Sequence, residues 1–340
     1  MKSNRPQQGS ILISVLWSLF FLGALALVIS SLIEPQLSIA SRLRDRVLLR
    51  YLAEAGMKKA IIEIRADETE GFDALNDVWS KNEEAFKEIS LYDEGYFSLE
   101  FLIDNTGEGA AQESTKYYGL IDEERKININ AASAGILNNF FEIVGETSSQ
   151  AAADISDSII DWRDDDDEKG DYGAENSYYQ SLDPGYDCKN SSFEVLEELL
   201  LVKEMTQGIF DKVQNYLTVY GKGKVNINTA DLLVLKSLGM RDSLAEKVIL
   251  FRKGNDGEEA TEDDNVFENI QNAGALLTSK AGLSGEETDE FNGIVDSGSV
   301  TVNSDIFRGR SVGGMRDRDI FKEIVFVVGR DEKIRYWREN

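Results

Sequence analysis

The chemically densest stretch of the 340-residue chain is a run of carboxylates near its middle, DWRDDDDEKGDYGAE at positions 161–175. Carboxylate oxygens that alternate along a loop are the hard ligands that Ca²⁺ prefers, about six to eight of them at roughly 2.3–2.6 Å. A folded loop that holds so many carboxylates close together needs a cation to offset their repulsion. The alternative is a solvated loop, because runs of like charge usually repel and stay disordered.

Two features of this acidic loop (residues 161–175) help to decide between a cation-binding loop and a solvated one. It does not fit the EF-hand pattern, because the frame that places Gly170 correctly puts Lys169 and Asn176 where ligands are required. Aromatic side chains that need a packed environment flank the run, namely Trp162, Tyr178 and Tyr179. The sequence therefore favours an ordered loop with a cation site that is not an EF-hand.

The composition excludes several other kinds of chemistry. The chain has no histidine, which removes most nucleophilic triads and zinc sites. Asp161 and Glu175 could be imagined as an acid–base pair, but no nucleophile motif or phosphate-binding loop accompanies them. The single Cys188 cannot form an intrachain disulfide, and a formal charge of −26 argues against a nucleic-acid surface. We therefore predict that the chain is not an enzyme and binds no nucleic acid.

The element that must position the acidic loop and the rest of the chain is an N-terminal helix. The uncharged run Ile11–Ile33 would extend roughly 34 Å as a helix, enough to cross a bilayer. Two basic residues before it and an acidic tract after it favour a cytoplasmic N-terminus and an exported remainder. The run is too long for a secretory signal core. A plain signal anchor is one alternative, and a class III signal cut between Gly9 and Ser10 is the other.

The apolar pattern continues beyond the run into an amphipathic segment, Leu43–Ile64. This segment predicts that one long helix lies half in lipid and half under a soluble head. Helical spacing places five residues on one largely apolar face, namely Leu48, Leu52, Ala55, Lys59 and Ile62.

The middle of the chain contains an internal repeat. The lead-in Lys126–Ala132 (KININAA) recurs 98 positions later as Lys224–Ala230 (KVNINTA). Two helices are predicted after each lead-in, at Gly135–Val144 and Ala151–Arg163 in the first unit and at Leu232–Leu238 and Ser243–Arg252 in the second. Asn or Thr before a helix start can cap the free amides of its first turn. The repeat predicts two related helical units.

Predicted strands flank this helical middle. They are Tyr96–Asp104, with Lys116–Asp122 as its partner, and then Ile320–Val328 and Lys333–Trp337 near the far end of the chain. Between the long helix and the first strand we predict a polar connector with a helical piece at about Phe72–Ile89. The economical architecture is a small sheet packed on the N-terminal helix, with a helical domain inserted into it.

The N-terminus resembles type IV pilins and pseudopilins, most of which carry Glu at the fifth mature position, where this chain has Ser14. The rest of the chain, from Gly9 to about Trp337, closely resembles the K family of type II secretion minor pseudopilins. The matching motifs are both lead-ins, Asp161-Trp162-x-Asp164-x-Asp166, Gly173-Ala174-Glu175, Tyr178-Tyr179, Lys189-Asn190 and Phe193-x-x-Leu196-x-Glu198-Leu199.

The resemblance implies an α+β fold. A long N-terminal membrane helix would pack on a small antiparallel pilin-like sheet that carries a large inserted α-helical domain of two helix-hairpin-helix or SAM-like repeats. The expected parts are a prepilin-type leader (1–9), the membrane and pilin helix (10–65), the first part of the pilin-like domain (66–125), the inserted domain (126–298) and the C-terminal strands (299–340).

The resemblance also implies a calcium site. The implied ligands are Asp161, Asp164, Asp166 and Glu175, with Asp171 as a weaker candidate. Asp165 and Asp167 are poorer candidates, because the family often has Pro at the position of Asp165. One or two calcium ions are expected, the second involving Asp183 or Asp187.

In function, the resemblance implies a minor pseudopilin that caps the tip of the secretion pseudopilus and helps to initiate its assembly. A prepilin peptidase would cut after Gly9 and methylate the Ser10 amine. The expected partners are the other minor pseudopilins, the prepilin peptidase and the inner-membrane secretion platform. The expected location is the inner membrane, crossed once, with the bulk of the chain in the periplasm.

The helical repeats leave one rival interpretation, a competence-like protein that binds DNA. Such proteins use a glycine-rich hairpin whose backbone amides meet phosphate, helped by nearby cations. The hairpins here, Val144–Thr147 and Leu238–Asp242, lack the second glycine and carry acidic residues where phosphate would approach. The sequence therefore favours a scaffold that is used for packing.

Overall fold

The computed structural model describes residues 8–67, 69, 71–92, 95–104 and 114–340. The longest element is α1 (Gln8–Ala66), a 59-residue helix that contains Pro35. An 18-residue window of this helix has a mean hydropathy of 2.6 and none of it is buried, so the helix is long and apolar enough to cross a membrane. Residues 1–7 of the predicted leader lie outside the described residues, and Gly9 and Ser10 belong to the first turn of α1.

Nine further helices follow in the described part of the chain. They are α2 (Glu83–Phe86), α3 (Ala134–Ile143), α4 (Ser149–Arg163), α5 (Asn176–Tyr179), α6 (Gln207–Val213), α7 (Leu232–Ser237), α8 (Asp242–Arg252), α9 (Ile270–Ala281) and α10 (Gly285–Asp296). Short 3₁₀ turns occupy Glu123–Arg125, Leu196–Leu201 and Gln214–Tyr216. The four repeat helices α3, α4, α7 and α8 begin and end within two residues of their predicted bounds.

Seven strands form one antiparallel sheet in the order β1-β2-β9-β10-β11, with β3 beside β2 and β4 beside β9. They are β1 (Ile89–Tyr92), β2 (Gly95–Asp104), β3 (Ser114–Tyr118), β4 (Ile121–Asp122), β9 (Ile306–Met315), β10 (Arg318–Gly329) and β11 (Ile334–Glu339). Two short parallel pairs lie in the helical region, β5 (Ile127–Asn128) with β6 (Leu217–Thr218) and β7 (Val225–Asn226) with β8 (Val300–Thr301).

The C-terminal half of α1 packs on this sheet, but not with the predicted face. The face in contact is made of Leu49, Leu52, Ala53, Met57, Ala60 and Ile64, all buried. Ile62, which the sequence places on the largely apolar face, is 57% exposed. The assigned face was therefore wrong by about one residue. Small residues decide the packed face, because a Cβ added at Gly56 would lie only 2.1 Å from the Ser311 Oγ.

The central strand β9 was not predicted, because three glycines lower its strand propensity. The structure gives two of these glycines a packing role. A Cβ at Gly313 would lie 2.4 Å from the backbone oxygen of Leu49 in α1. A Cβ at Gly309 would lie 2.3 Å from the ring of Phe326 in β10. The glycines that weaken the strand pattern in the sequence therefore also allow the helix and the sheet to approach closely.

Two further predictions about this region need correction. The helical piece expected at Phe72–Ile89 is reduced to α2, because the Asp77 carboxylate accepts hydrogen bonds from the Ala74 amide and the Trp79 indole and so holds turns instead. The expected strand Lys116–Asp122 is split into β3 and β4. The break lies at Gly119, where a Cβ would strike the backbone oxygen of Ser80.

The helical region lies between β4 and β9 along the chain and has its own buried core, separate from the core between α1 and the sheet. The predicted repeat is visible in its side-chain contacts. The Asn130 side chain exchanges hydrogen bonds with the backbone of Phe193, and Asn228 does the same with Phe267. The sequence suggested that the repeated Asn residues cap the helices α3 and α7. In the structure they instead bridge segments within each unit.

Candidate functional site

The acidic loop leaves the C-terminal end of α4 and returns to α5. Asp161 lies in the last turn of α4, and Asp164 caps that helix through its amide, which donates to Ile160. Glu175 lies directly before α5. The loop is thus held at both ends by helices, and its cluster of carboxylates is tied to the packed part of the first helical unit.

An aromatic cluster beneath the loop explains why it is ordered. Trp162 and Tyr179 are buried, with ring centroids 5.1 Å apart in an edge-to-face arrangement. Trp162 also stacks on Phe193, and Tyr179 contacts the half-buried Tyr178. The prediction that the flanking aromatic residues pack in a folded environment is confirmed.

Asp161 is the most enclosed carboxylate of the loop at its helical end, with only 2% of the residue exposed. Its two oxygens accept the Gly170 amide at 3.1 and 3.2 Å. Gly173 packs directly on it, because a Cβ there would lie 1.9 Å from an Asp161 oxygen. Burial raises the pKa of Asp161, which the backbone amides of Gly170 and Ala174 oppose.

The structure brings Asp164, Asp166 and Glu175 together, with one oxygen of each within 4.8 Å of the other two. Asp161 is adjacent to this group, and its charge acts on Glu175. Asp171 is exposed and does not belong to the group. Asp183 and Asp187 are also exposed and outside it. Asp187 accepts a hydrogen bond from the Gln180 side chain.

Glu175 is the most unusual residue of the site. It is 3% exposed, and neither of its carboxylate oxygens has a hydrogen-bond partner among the described residues. The Cys188 thiol lies beside it, but a thiol is only a weak donor. Burial, followed by the charges of Asp161 and Asp164, raises the pKa of Glu175 to about 7.

No cationic side chain among the described residues neutralises this group, since none of Asp161, Asp164, Asp166 and Glu175 forms a salt bridge there. The nearest guanidinium in sequence, that of Arg163, instead donates to the backbone oxygens of Ile129 and Ala132. The loop therefore concentrates negative charge in a partly buried place, and no salt bridge from a described residue compensates it.

Sequence reasoning gave Asn190 no role in the site. Its side-chain amide donates to the Asp166 backbone oxygen at 2.9 Å, and its Oδ1 is buried without a partner in the described part of the chain. The same is true of one oxygen of Asp164. With the two oxygens of Glu175, four acceptors in this region lack a donor, which is the arrangement that a bound cation would satisfy. The Lys189-Asn190 motif, 14 residues beyond the loop, was the available signal.

Comparison with known proteins finds similar proteins that share one name. A family profile described as "Type II secretion system (T2SS), protein K" matches residues 109–222, which include the acidic loop. Type II secretion system protein K of Aeromonas hydrophila is 29% identical over 202 residues. The protein of the same name from Pseudomonas aeruginosa is 24% identical over 272 residues, 76% of each chain. The chain is therefore similar to type II secretion system protein K.

The match with the Aeromonas hydrophila protein covers 56% of this chain and 54% of that protein, so the chain spans about half the length of that relative. A solved structure supports the fold independently. A chain of the GspK-GspI-GspJ complex from the enterotoxigenic Escherichia coli type 2 secretion system superposes with a TM-score of 0.62 at 14% identity. That superposition covers 89% of this chain and 99% of the other. The overall arrangement of α1, sheet and helical region therefore occurs in a chain of this solved complex.

Proposed function

We propose that the chain is a minor pseudopilin that caps and helps to initiate the pseudopilus of a type II secretion system, as a structural subunit without catalytic activity. The observation that carries the proposal is α1, whose first half is exposed and apolar while its second half is packed on the sheet. A helix of this kind anchors the subunit in a membrane and presents a surface to neighbouring helices. Similarity to type II secretion system protein K suggests the system in which the helix would act.

The partners that we propose are other minor pseudopilins, the inner-membrane platform and a prepilin peptidase. Beyond the uncharged run, α1 still exposes an apolar stripe at four-residue spacing, namely Ile39, Leu43, Val47 and Tyr51. This stripe lies outside the contact with the sheet, so it is available to a partner helix. The solved neighbour is itself a complex of GspK with GspI and GspJ, which is consistent with such contacts.

Processing by a prepilin peptidase gives the first test. We propose that the chain is cut between Gly9 and Ser10 and methylated on the new amine, then held in the inner membrane with its bulk in the periplasm. The measurement is the intact mass and the N-terminal sequence of the membrane-extracted protein, with and without the peptidase. A chain that starts at N-methylated Ser10 only with the peptidase is the expected result. An uncut chain in both samples would make it a signal-anchored protein and contradict the proposal.

We also propose that the region 126–298 is an inserted domain of two SAM-like units and that the sheet is pilin-like. In support, both units share the lead-in, the two helices and the Asn bridges described above. A bulky domain of this kind on top of a slender helix would allow other subunits to add only below it. The size of the head therefore favours a position at the tip of the fibre.

We propose further that the acidic loop binds calcium through Asp164, Asp166 and Glu175, with Asp161 adjacent and Asn190 as an added ligand. Support comes from the four buried acceptors that lack a donor and from the absence of a salt bridge to this group among the described residues. Asp171 lies outside the cluster and is the weakest of the predicted ligands. Calcium would offset the mutual repulsion of the carboxylates, and an ion that binds only the folded state stabilises it.

The test of the calcium proposal is the melting temperature of the full chain in detergent, measured in chelator and in millimolar calcium. At a calcium concentration about 100 times the Kd, binding contributes about 2.7 kcal/mol to the free energy of unfolding, so the melting temperature should rise clearly. Magnesium at the same concentration is the control, since it prefers a smaller octahedral site. Equal melting temperatures in chelator and calcium would contradict the proposed calcium site.

A further inference from the structure

A second feature of the molecule differs from the acidic loop in composition and charge. A cleft of about 690 Å³ opens between the outer face of the sheet and the helical region. Val325 of β10 and Tyr336 and Arg338 of β11 form one wall, and the segments 195–197 and 214–220 form the other. This basic cleft, as we call it, is large enough to take a ligand of several residues.

The charge of the cleft is opposite to that of the molecule. Five cationic side chains line it, namely Arg125, Lys126, Lys212, Arg308 and Arg338. Of the described residues, only two carboxylates, Glu197 and Asp231, line the same space. The whole chain has 62 acidic and 36 basic residues, so a cationic surface of this kind cannot result from its average composition. The cleft is an attractive place for an anion in an otherwise repulsive field.

The ion pairs of the cleft leave positive charge unsatisfied. Lys126 and Arg308 share a single carboxylate, that of the fully buried Glu123. Burial alone would raise the pKa of Glu123, but the two cations lower it to about 2, so this carboxylate stays ionised and can compensate only one of them. Arg338 forms no salt bridge with any described residue. Arg125 pairs with Asp231 and Lys212 with Glu146. Among the described residues, Arg338 and one of the two cations on Glu123 thus have no carboxylate of their own.

The remaining lining is amphipathic. Tyr216, Tyr220 and Tyr336 supply aromatic surface together with hydroxyl groups, and Val195 and Phe210 supply apolar contact. β11 is also an edge strand of the described sheet, so its outer backbone groups are open to an added strand. A ligand that matches these groups is extended and carries acidic side chains between apolar ones.

We propose that the basic cleft binds an extended acidic segment of a partner polypeptide. A polypeptide suits the site better than a nucleic acid, because a long polyanion would run beyond the cleft onto a surface with a net charge of −26. A short acidic segment ends within the cationic lining and can also use the apolar and edge-strand contacts. The inference goes beyond the pseudopilin proposal and does not depend on it, since it concerns no residue of α1 or of the acidic loop.

The experiment measures binding of a fluorescent peptide to the full chain in detergent micelles by anisotropy. The peptide has eight residues in which Glu alternates with Val, and its counterpart has Gln at every Glu. The acidic peptide should bind at least about tenfold more tightly than the amide peptide, and raised salt should weaken it. Equal affinity of the two peptides would overturn the proposal. Tighter binding of a single-stranded DNA octamer than of the acidic peptide would assign the cleft to nucleic acid and also overturn it.

Variants locate the binding within the molecule. The double change Lys212→Gln and Arg338→Gln removes two solvent-accessible cations from the cleft and should weaken the acidic peptide about tenfold or more. The control is Arg335→Gln, which removes a cation from the same strand β11 but not from the lining of the cleft. Melting temperatures establish that the variants fold. Equal weakening by the control and by the double variant would show general charge attraction and contradict a site in the cleft.

Discussion

At the scale of single residues, Glu175 is the most informative position in the chain. A carboxylate that is 97% buried, with no hydrogen bond to a described residue and with Asp161 and Asp164 close by, is costly in its ionised form. Proteins keep such a group where something else satisfies it. Because its pKa is raised, the dependence of stability on pH reports the cost of ionising Glu175 without calcium. The change in stability when calcium is added reports the stabilisation by the ion.

We expect the calcium-free protein to lose stability as the pH rises from about 4.5 to about 7. Glu175 has an ordinary pKa of 4.5 and a folded-state pKa of about 7, so the folded state holds its proton more tightly than the unfolded chain. This loss of stability is absent below pH 4.5 and complete above pH 7. Glu175→Gln should remove this part of the pH dependence and, at pH 8 in chelator, raise the free energy of unfolding by about 1–3 kcal/mol. Urea denaturation between pH 4 and 8 measures both effects.

The same variant should lose the rise in melting temperature with calcium, because an amide replaces a charged ligand. Glu168→Gln is the matched control, since Glu168 is an exposed carboxylate of the same loop outside the clustered group. It should keep both the pH dependence and the calcium response. If Glu175→Gln and Glu168→Gln respond to calcium alike, Glu175 is not a ligand.

At the scale of elements, each repeat unit is closed by an arginine at the end of its second helix. Arg163 donates to the backbone oxygens of Ile129 and Ala132 in the first lead-in. Arg252 donates to the equivalent oxygens of Ile227 and Ala230 in the second. These bonds tie α4 and α8 to the start of their own units, so the arginines hold the two-helix arrangement in place. Both arginines were visible in the sequence, but their partners were not.

The two arginines should differ in their contribution to stability. Arg252 is almost fully buried and also pairs with Glu259, so Arg252→Ala should cost about 3 kcal/mol because it leaves carbonyls and a carboxylate without their donor. Arg163 is only half-buried and has no salt bridge with a described residue, so Arg163→Ala should cost about 1–2 kcal/mol. The measurement is urea denaturation of the full chain in calcium and detergent.

Arg241→Ala is the control for these variants. Its side chain is 51% exposed and pairs with Glu286 and Glu290 at the surface, so its removal should cost at most about 1 kcal/mol. An equal cost for Arg241→Ala and Arg252→Ala would mean that the arginine bonds do not hold the units together.

At the scale of the whole molecule, α1 separates two environments. Its N-terminal half is exposed and uncharged, while its C-terminal half is fixed to the sheet through small residues such as Gly56. Ser14 lies in the exposed half, at the position where the resemblance to pilin-like proteins predicts a glutamate. A carboxylate within a bilayer costs about 2.5–3.5 kcal/mol unless a partner satisfies it. A subunit with no neighbour above it would have no such partner.

Ser14→Glu therefore tests the position of the subunit in the fibre. The change should leave the soluble part folded, because Ser14 is far from both buried cores. In a fibre, the new carboxylate could pair with the terminal amine of a subunit above it, so incorporation below the tip is the expected result. Cysteine crosslinking between subunits measures the position, with Ser18→Glu, one turn further along α1, as the control. Identical crosslinks for the wild type and both variants would remove Ser14 as the reason for a tip position.

The sequence alone determined the elements that depend on local pattern. The uncharged run predicted the apolar half of α1, and the 98-residue repeat predicted α3, α4, α7 and α8. Alternation predicted β2, and β10 was predicted as a strand as well. These patterns are legible because hydrophobic periodicity and charge act between neighbours in the chain. The acidic loop was found in the same way, from the density of its carboxylates.

Only the tertiary structure decided which surfaces meet. Glycines concealed β9 in the sequence, yet they are the reason why α1 packs on the sheet with a face one residue away from the predicted one. The gathering of Asp164, Asp166 and Glu175 apart from Asp171, and the cationic lining of the basic cleft, likewise depend on residues distant in sequence. Close approach, burial and charge balance are properties of neighbours in space, and a pattern along the chain does not contain them.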